Sequence, residues 1–122
     1  MPKIIDEDIL DLTAFAEELN AAREHVQVGT SLWFENERVR VWEVRLDPGE
    51  GAPFHAHVRP YFWTCVGAGI GRQRSSDGAI RVLGYEEGDT NYSDHSIGAP
   101  LIHDLKNVGD TVLRFVTVEL LG

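Results

Sequence analysis

From Val26 to Leu120 the chain is a succession of short β-branched and aromatic runs, cut about every 8 to 12 residues by Gly, Pro, Asn or Asp. That rhythm suits an all-β sandwich or barrel and leaves no room for long helices. Predicted strands run over 26–33, 39–46, 54–57, 61–66, 71–75, 80–85, 90–93, 101–105 and 111–120. Turn residues separate them, among them Asp47-Pro48-Gly49, Gly67-Ala68-Gly69, Asp77-Gly78 and Asn107-Val108-Gly109-Asp110. In strand 39–46, Val39 and Val41 share one face while Trp42, Val44 and Leu46 share the other, so a bulge or burial on both sides is expected there. Ahead of the strands, Thr13 reads as an N-cap for a short helix over 14–23, with Phe15, Leu19 and Ala22 at helical spacing.

At 122 residues and 43% hydrophobic content, the chain supports one compact core and is short for two. Residues 1–24 are read as an N-terminal extension carrying the short helix, and residues 25–122 as a single barrel domain. With 11 Lys and Arg against 20 Asp and Glu, the net charge of -9 repels phosphate backbones and anionic membranes. No nucleic-acid or membrane partner is therefore expected. Asp6, Glu7 and Asp8 stand where a signal peptide needs an apolar run, and no stretch approaches about 18 apolar residues, so a cytoplasmic protein is expected. The lone Cys65 excludes an internal disulfide and a thiolate metal cluster. Any metal must then use imidazole, carboxylate or water.

The stretch Pro48 to His57, PGEGAPFHAH, combines turn residues with two histidines two apart on a predicted strand, where both point to one face. His103 follows far downstream in another strand-then-turn segment with Asn107. Imidazole is the commonest protein ligand for transition metals, and such a set suits one ion.

These residues resemble the cupins. Gly49, then His55 and His57, then Gly69 match the family's first motif, and Gly88-Asp89 with His103 and Asn107 match its second. The resemblance spans nearly the whole chain apart from the N-terminal helix. It implies a double-stranded β-helix, a jelly-roll-like barrel, holding a divalent metal on His55, His57 and His103. Two departures stand out. The family's glutamate falls at Tyr61 or Phe62, neither a carboxylate, and the segment from Gly88 to His103 is four residues longer than usual. The implied ligand set is three neutral histidines plus water, which leaves the ion its full double charge. Fe(II) is favoured, because three-histidine cupins such as thiol and diketone-cleaving dioxygenases look like this; Zn, Ni, Mn and Cu also suit imidazole.

Tyr61 is the candidate catalytic residue beside the metal, although a barrel-wall aromatic is the commoner role for such a tyrosine. Trp63 is the candidate substrate-binding residue, with Trp33 and Trp42 read alongside it as core and pocket wall. His95, in the lengthened loop, is an alternative ligand. Arg45, Arg59, Arg72, Arg74, Arg81 and Arg114 are candidates for holding a substrate carboxylate. Asn107 reads as a turn residue tied to the backbone near Gly109, and Cys65 as a buried strand residue.

The favoured function is a metal-dependent, dioxygenase-like oxidation or cleavage of a small organic acid. The alternatives are a non-catalytic cupin that binds or senses a small ligand, and an isomerase-type cupin. The resemblance also implies a homodimer, with residues 26–33 as the strand that meets the partner.

Overall fold

A computed structural model describes residues 2–96 and 98–122. Ten strands form two five-stranded antiparallel sheets. One sheet has the order β1 (Lys3–Ile9), β7 (Ala79–Tyr85), β6 (Gly69–Arg74), β9 (Leu101–Asn107), β4 (Gly51–His57). The other has the order β2 (Ser31–Glu35), β3 (Val39–Leu46), β10 (Leu113–Leu120), β5 (Tyr61–Gly67), β8 (Thr90–Ser93). This is the all-β double-stranded architecture expected, with one short helix. Among the described residues no helix is long and apolar enough to cross a membrane.

The strands alternate as a barrel wall requires. Along β10, Leu113, Phe115, Thr117 and Glu119 are buried and the residues between them are not. Val44 and Leu46 from β3, Cys65 from β5, Leu83 and Tyr85 from β7, and Leu113 and Phe115 from β10 interlock as the central core, with Trp63 and Leu105 against them. Cys65 is buried as expected, and burial pushes its thiol above the usual value.

Four sequence expectations change. Residues 3–9 form a strand that was not anticipated, because KIIDEDI is exposed along its length and shows no apolar alternation; backbone pairing with β7 orders it. The helix starts later than Thr13: Asp11 Oδ1 accepts from the Thr13 and Ala14 N–H groups, so the capping carboxylate belongs to the preceding turn. The helix itself covers Ala16–Ala21 and tightens into a 3₁₀ turn over Ala22–Glu24. The strand expected over 26–33 begins only at Ser31. A Cβ on Gly29 would lie 2.6 Å from Trp42 Cβ, so the chain there presses onto Trp42 as a loop and buries Val28. Finally, β3 pairs with β10 without interruption; the expected irregularity lies in its other neighbour, where the β2 register shifts between Leu32 and Phe34.

The helix covers the outer face of β4. Ala22, Phe54, Ala56 and Ile102 are buried together, with Phe15 and Leu19 packed on them. Arg74 closes this layer, its guanidinium stacking over Phe15 and Phe54 while bonded to Asp104. β4 is thus covered outside by the helix and inside by the barrel, so Phe54 to His57 are all buried.

Candidate metal centre

β4 begins after a turn at Gly49, whose φ of 87° suits glycine. Gly51 pairs with Lys106 and Ala52 with Leu105, but the register then shifts, and His55 comes to lie directly across from His103. The shift spans Pro53 and Phe54. Proline lacks an N–H for the ladder, so a bulge is the natural place for it. This local irregularity aligns His103 with the two histidines of β4. Ser75 bridges to His103 from the other side.

The three imidazoles form a nearly regular triangle. Their ring centroids are 4.9 Å apart in every pair, and the rings are tilted by 68°, 72° and 80° to one another. The Nε2 atoms point at one another, 3.2 Å apart between His55 and His57 and 3.0 Å between His57 and His103. Two nitrogens bound to one ion at about 2.1 Å, at angles between square and tetrahedral, would be roughly 3.0–3.4 Å apart. The observed spacing fits that requirement.

Protonation suits ligation as well. His55 Nδ1 donates to the Pro53 carbonyl at 2.8 Å, which leaves Nε2 as the bare nitrogen of the neutral ring. Burial lowers the His55 pKa, and burial together with the neighbouring histidines holds His57 and His103 well below the ordinary imidazole value. All three are therefore neutral near pH 7. The Nδ1 atoms of His57 and His103 are buried without a partner among the described residues. Polar nitrogens left this way are a cost to folding, and they mark a place where stability has been spent on something other than packing.

Tyr61 lies flat against His57, with centroids 3.9 Å apart and planes 11° apart. Burial pushes its phenol up to about 12, with the Ser93 side chain opposing the shift, so it is a neutral hydroxyl. Trp63 also lines the cavity in front of the histidines, packed edge-to-face on Tyr85 and Phe115. This cavity has about 60 Å³ of free space, several times what one water needs.

Other candidates fall elsewhere. His95 is not one of the three residues whose ligand atoms lie within 4.8 Å of one another; its ring sits 6.2 Å from that of Tyr61. None of the candidate arginines lines the cavity. Arg74 is held by Asp104, Arg81 by Asp77 and Arg114 by Glu43, Arg45 faces Asp47, Arg59 is exposed, and half-buried Arg72 keeps an Nε without a partner among the described residues. Asn107 is wholly buried and bonds Gly109 N–H as expected, but it also donates to the carbonyls of Leu46 and Thr111.

Sequence reading overlooked Val28, Gln73 and Thr117 on the cavity wall. For Gln73 and Thr117 a signal existed, since each alternates with core residues on its strand. Val28 had none, because a loop rather than a strand delivers it.

A cupin domain from Bordetella pertussis shares this arrangement of strands with a TM-score of 0.65 at 24% identity, covering 74% of this chain and 88% of that one. A double-stranded β-helix protein from Klebsiella pneumoniae gives 0.59 at 21% identity, covering 83% and 87%. The chain has the cupin fold. A cupin-superfamily sugar phosphate isomerase from Silicibacter pomeroyi is similar over 68% of this chain and 50% of its own, with a TM-score of 0.51 at 21% identity. No protein-family model and no curated protein matches the sequence. Within the cupin fold, the three histidines stand together as a site able to bind a divalent metal.

Proposed function

We propose that this cupin-fold protein is a metal-dependent enzyme in which His55, His57 and His103 hold a divalent ion, Fe(II) in preference to Zn, Ni, Mn or Cu, and a small organic acid is oxidised or cleaved in the cavity before them. The observation that carries this reading is the convergence of three neutral Nε2 atoms at 3.0–3.2 Å on a cavity open to a ligand. Bound there, the ion would supply Lewis acidity and, as iron, access to dioxygen chemistry.

The chain's own residues account for the remaining tasks. His55 is oriented by the Pro53 carbonyl, and His57 is held against Tyr61. Tyr61 offers a neutral hydroxyl as a donor beside the site. Trp63, Tyr85 and Phe115 exclude water from the floor. Among the described residues no Asp or Glu lines the cavity, which argues against an isomerase needing a carboxylate acid and base pair.

The same reading extends to a cytoplasmic homodimer. Leu32, Trp33 and Phe34 on edge strand β2 are each about half exposed, and an apolar edge of this kind, which a second copy would cover, supports this assembly. Light scattering at micromolar concentration should give a dimer that Trp33→Glu converts to monomer.

Elemental analysis of protein purified without tag or chelator tests the central claim. About one equivalent of metal per chain is expected, and none in His55→Ala, His57→Ala. With metal bound, oxygen consumption with small acids should disappear in His57→Ala while the fold persists. Saturable ligand binding without any product would instead make this a sensing or storage module.

A further inference from the structure

The cavity wall divides by chemistry. His55, His57, His103 and Tyr61 form one end, whereas Val44, Trp63, Tyr85, Leu105 and Phe115 supply an aromatic and hydrocarbon remainder. Among the described residues, Gln73, Thr117 and the Tyr85 hydroxyl are its other polar groups, and none of them carries charge. No Lys, Arg, Asp or Glu among the described residues lines it.

Of the neighbouring cations, Arg74, Arg114 and Arg40 are committed to carboxylates, while Arg72, beside Gln73 on β6, keeps a buried Nε without a partner among the described residues and does not line the cavity. Arg74 gives Nε and Nη2 to Asp104 at 2.8 and 2.6 Å, Arg114 gives Nε to Glu43 at 2.8 Å, and Arg40 pairs with Glu35 and Glu119. A second cavity shares Val28, Ala52 and His55 with the first, and its wall adds Glu24 but no Lys or Arg. The chain as a whole is strongly acidic. An anionic group placed anywhere but at the histidine end therefore meets desolvation and repulsion without a counter-charge.

We propose that the histidine cavity selects small organic anions whose only negative charge lies at the histidine end and whose body is uncharged and apolar, and that it rejects dicarboxylates and phosphorylated sugars. This rests on the metal centre proposed above, which supplies the only positive charge in the cavity, and it names the ligand class of that centre. Gln73 is the neutral side chain through which the charge preference of the wall beside the histidines is tested. It lies on the inner face of β6, two residues before Ser75, the bridge partner of His103. Its amide makes no hydrogen bond to another described residue, so it is available to a ligand.

The test compares butanoate with succinate, acids of equal carbon count that differ by one remote carboxylate, and adds glycerol 3-phosphate. Each is titrated calorimetrically into protein loaded with Zn(II), a redox-silent ion that keeps turnover out of the readout. Butanoate should bind at least about tenfold more tightly than either of the others. Gln73→Lys, which places a second cation on the cavity wall, should shift the ratio about tenfold toward succinate while zinc content stays unchanged. Equal or tighter binding of succinate or glycerol 3-phosphate by the zinc-loaded wild type overturns the selectivity alone. Failure of the wild type to hold zinc or any other divalent ion overturns the metal centre and this inference with it. The wild-type comparison decides the matter even if Gln73→Lys does not fold.

Discussion

Asn107 and the histidine triangle are both polar groups buried in the same barrel, and β9 carries Asn107 and one corner of the triangle, His103, while His55 and His57 come from β4. Asn107 has a partner for every role it plays: its amide nitrogen donates to the Leu46 and Thr111 carbonyls and its oxygen accepts from Gly109. Its backbone N–H bonds the Glu50 carbonyl, and its own carbonyl accepts from Gly49. His57 and His103 keep buried Nδ1 atoms without partners among the described residues and turn Nε2 toward another imidazole. A buried polar group with all its bonds made inside the chain ties loops together and specifies structure. One whose bonds are left incomplete lowers stability, and is retained where something from outside completes it.

Substitutions should separate the two classes. The largest effect is expected for His57→Ala, which should weaken divalent-metal binding by at least about a thousandfold, or about 4 kcal/mol, measured by competition with a chelating dye. Its metal-free form should unfold near the wild-type denaturant midpoint, since the lost ring was poorly satisfied. Asn107→Leu should behave in the opposite way, losing about 3 kcal/mol in urea unfolding because two carbonyls and an amide lose their partners together. Equal destabilisation by both variants would break the distinction.

Asp104→Ala should cost about 2 kcal/mol, because it frees the guanidinium that closes the helix layer over Phe54. Metal binding should be little changed, as Arg74 and Asp104 work on the outer face.

A smaller effect should appear with pH in the metal-free protein. The three histidines have folded-state pKa values below the unfolded value of about 6.5, so below that pH the unfolded chain binds more protons than the folded one. Stability is then fully present above about pH 6.5 and falls as the pH drops toward the lowered folded values. Replacing all three histidines by alanine should flatten that slope in urea titrations; an unchanged slope would mean that other groups dominate it.

How much of this was legible in the chain varies with the range of the interaction. β3 and β8 begin and end where local composition placed them, at Val39–Leu46 and Thr90–Ser93. The shared face of His55 and His57 follows from the two-residue period of a strand, and their partnership with His103 was visible as motif resemblance. Strand β1 was not legible, because an exposed edge strand needs no apolar pattern and its partner lies some seventy residues away. The loop carrying Val28 was misread because its β-branched residues fit a strand, while Gly29 lets the backbone approach Trp42 too closely for one.

The sequence by itself therefore determined the all-β class, most strand positions, and which three histidines come together. These depend on side-chain period, turn residues and spacing, which act over a few residues. Tertiary structure alone decided that the bulge at Pro53 and Phe54 sets His55 opposite His103, that Arg74, Arg81 and Arg114 turn to carboxylates away from the cavity, and that Gln73 lines it. Those outcomes depend on inter-strand register and on competition between distant partners, and neither exists until the two sheets have closed on each other.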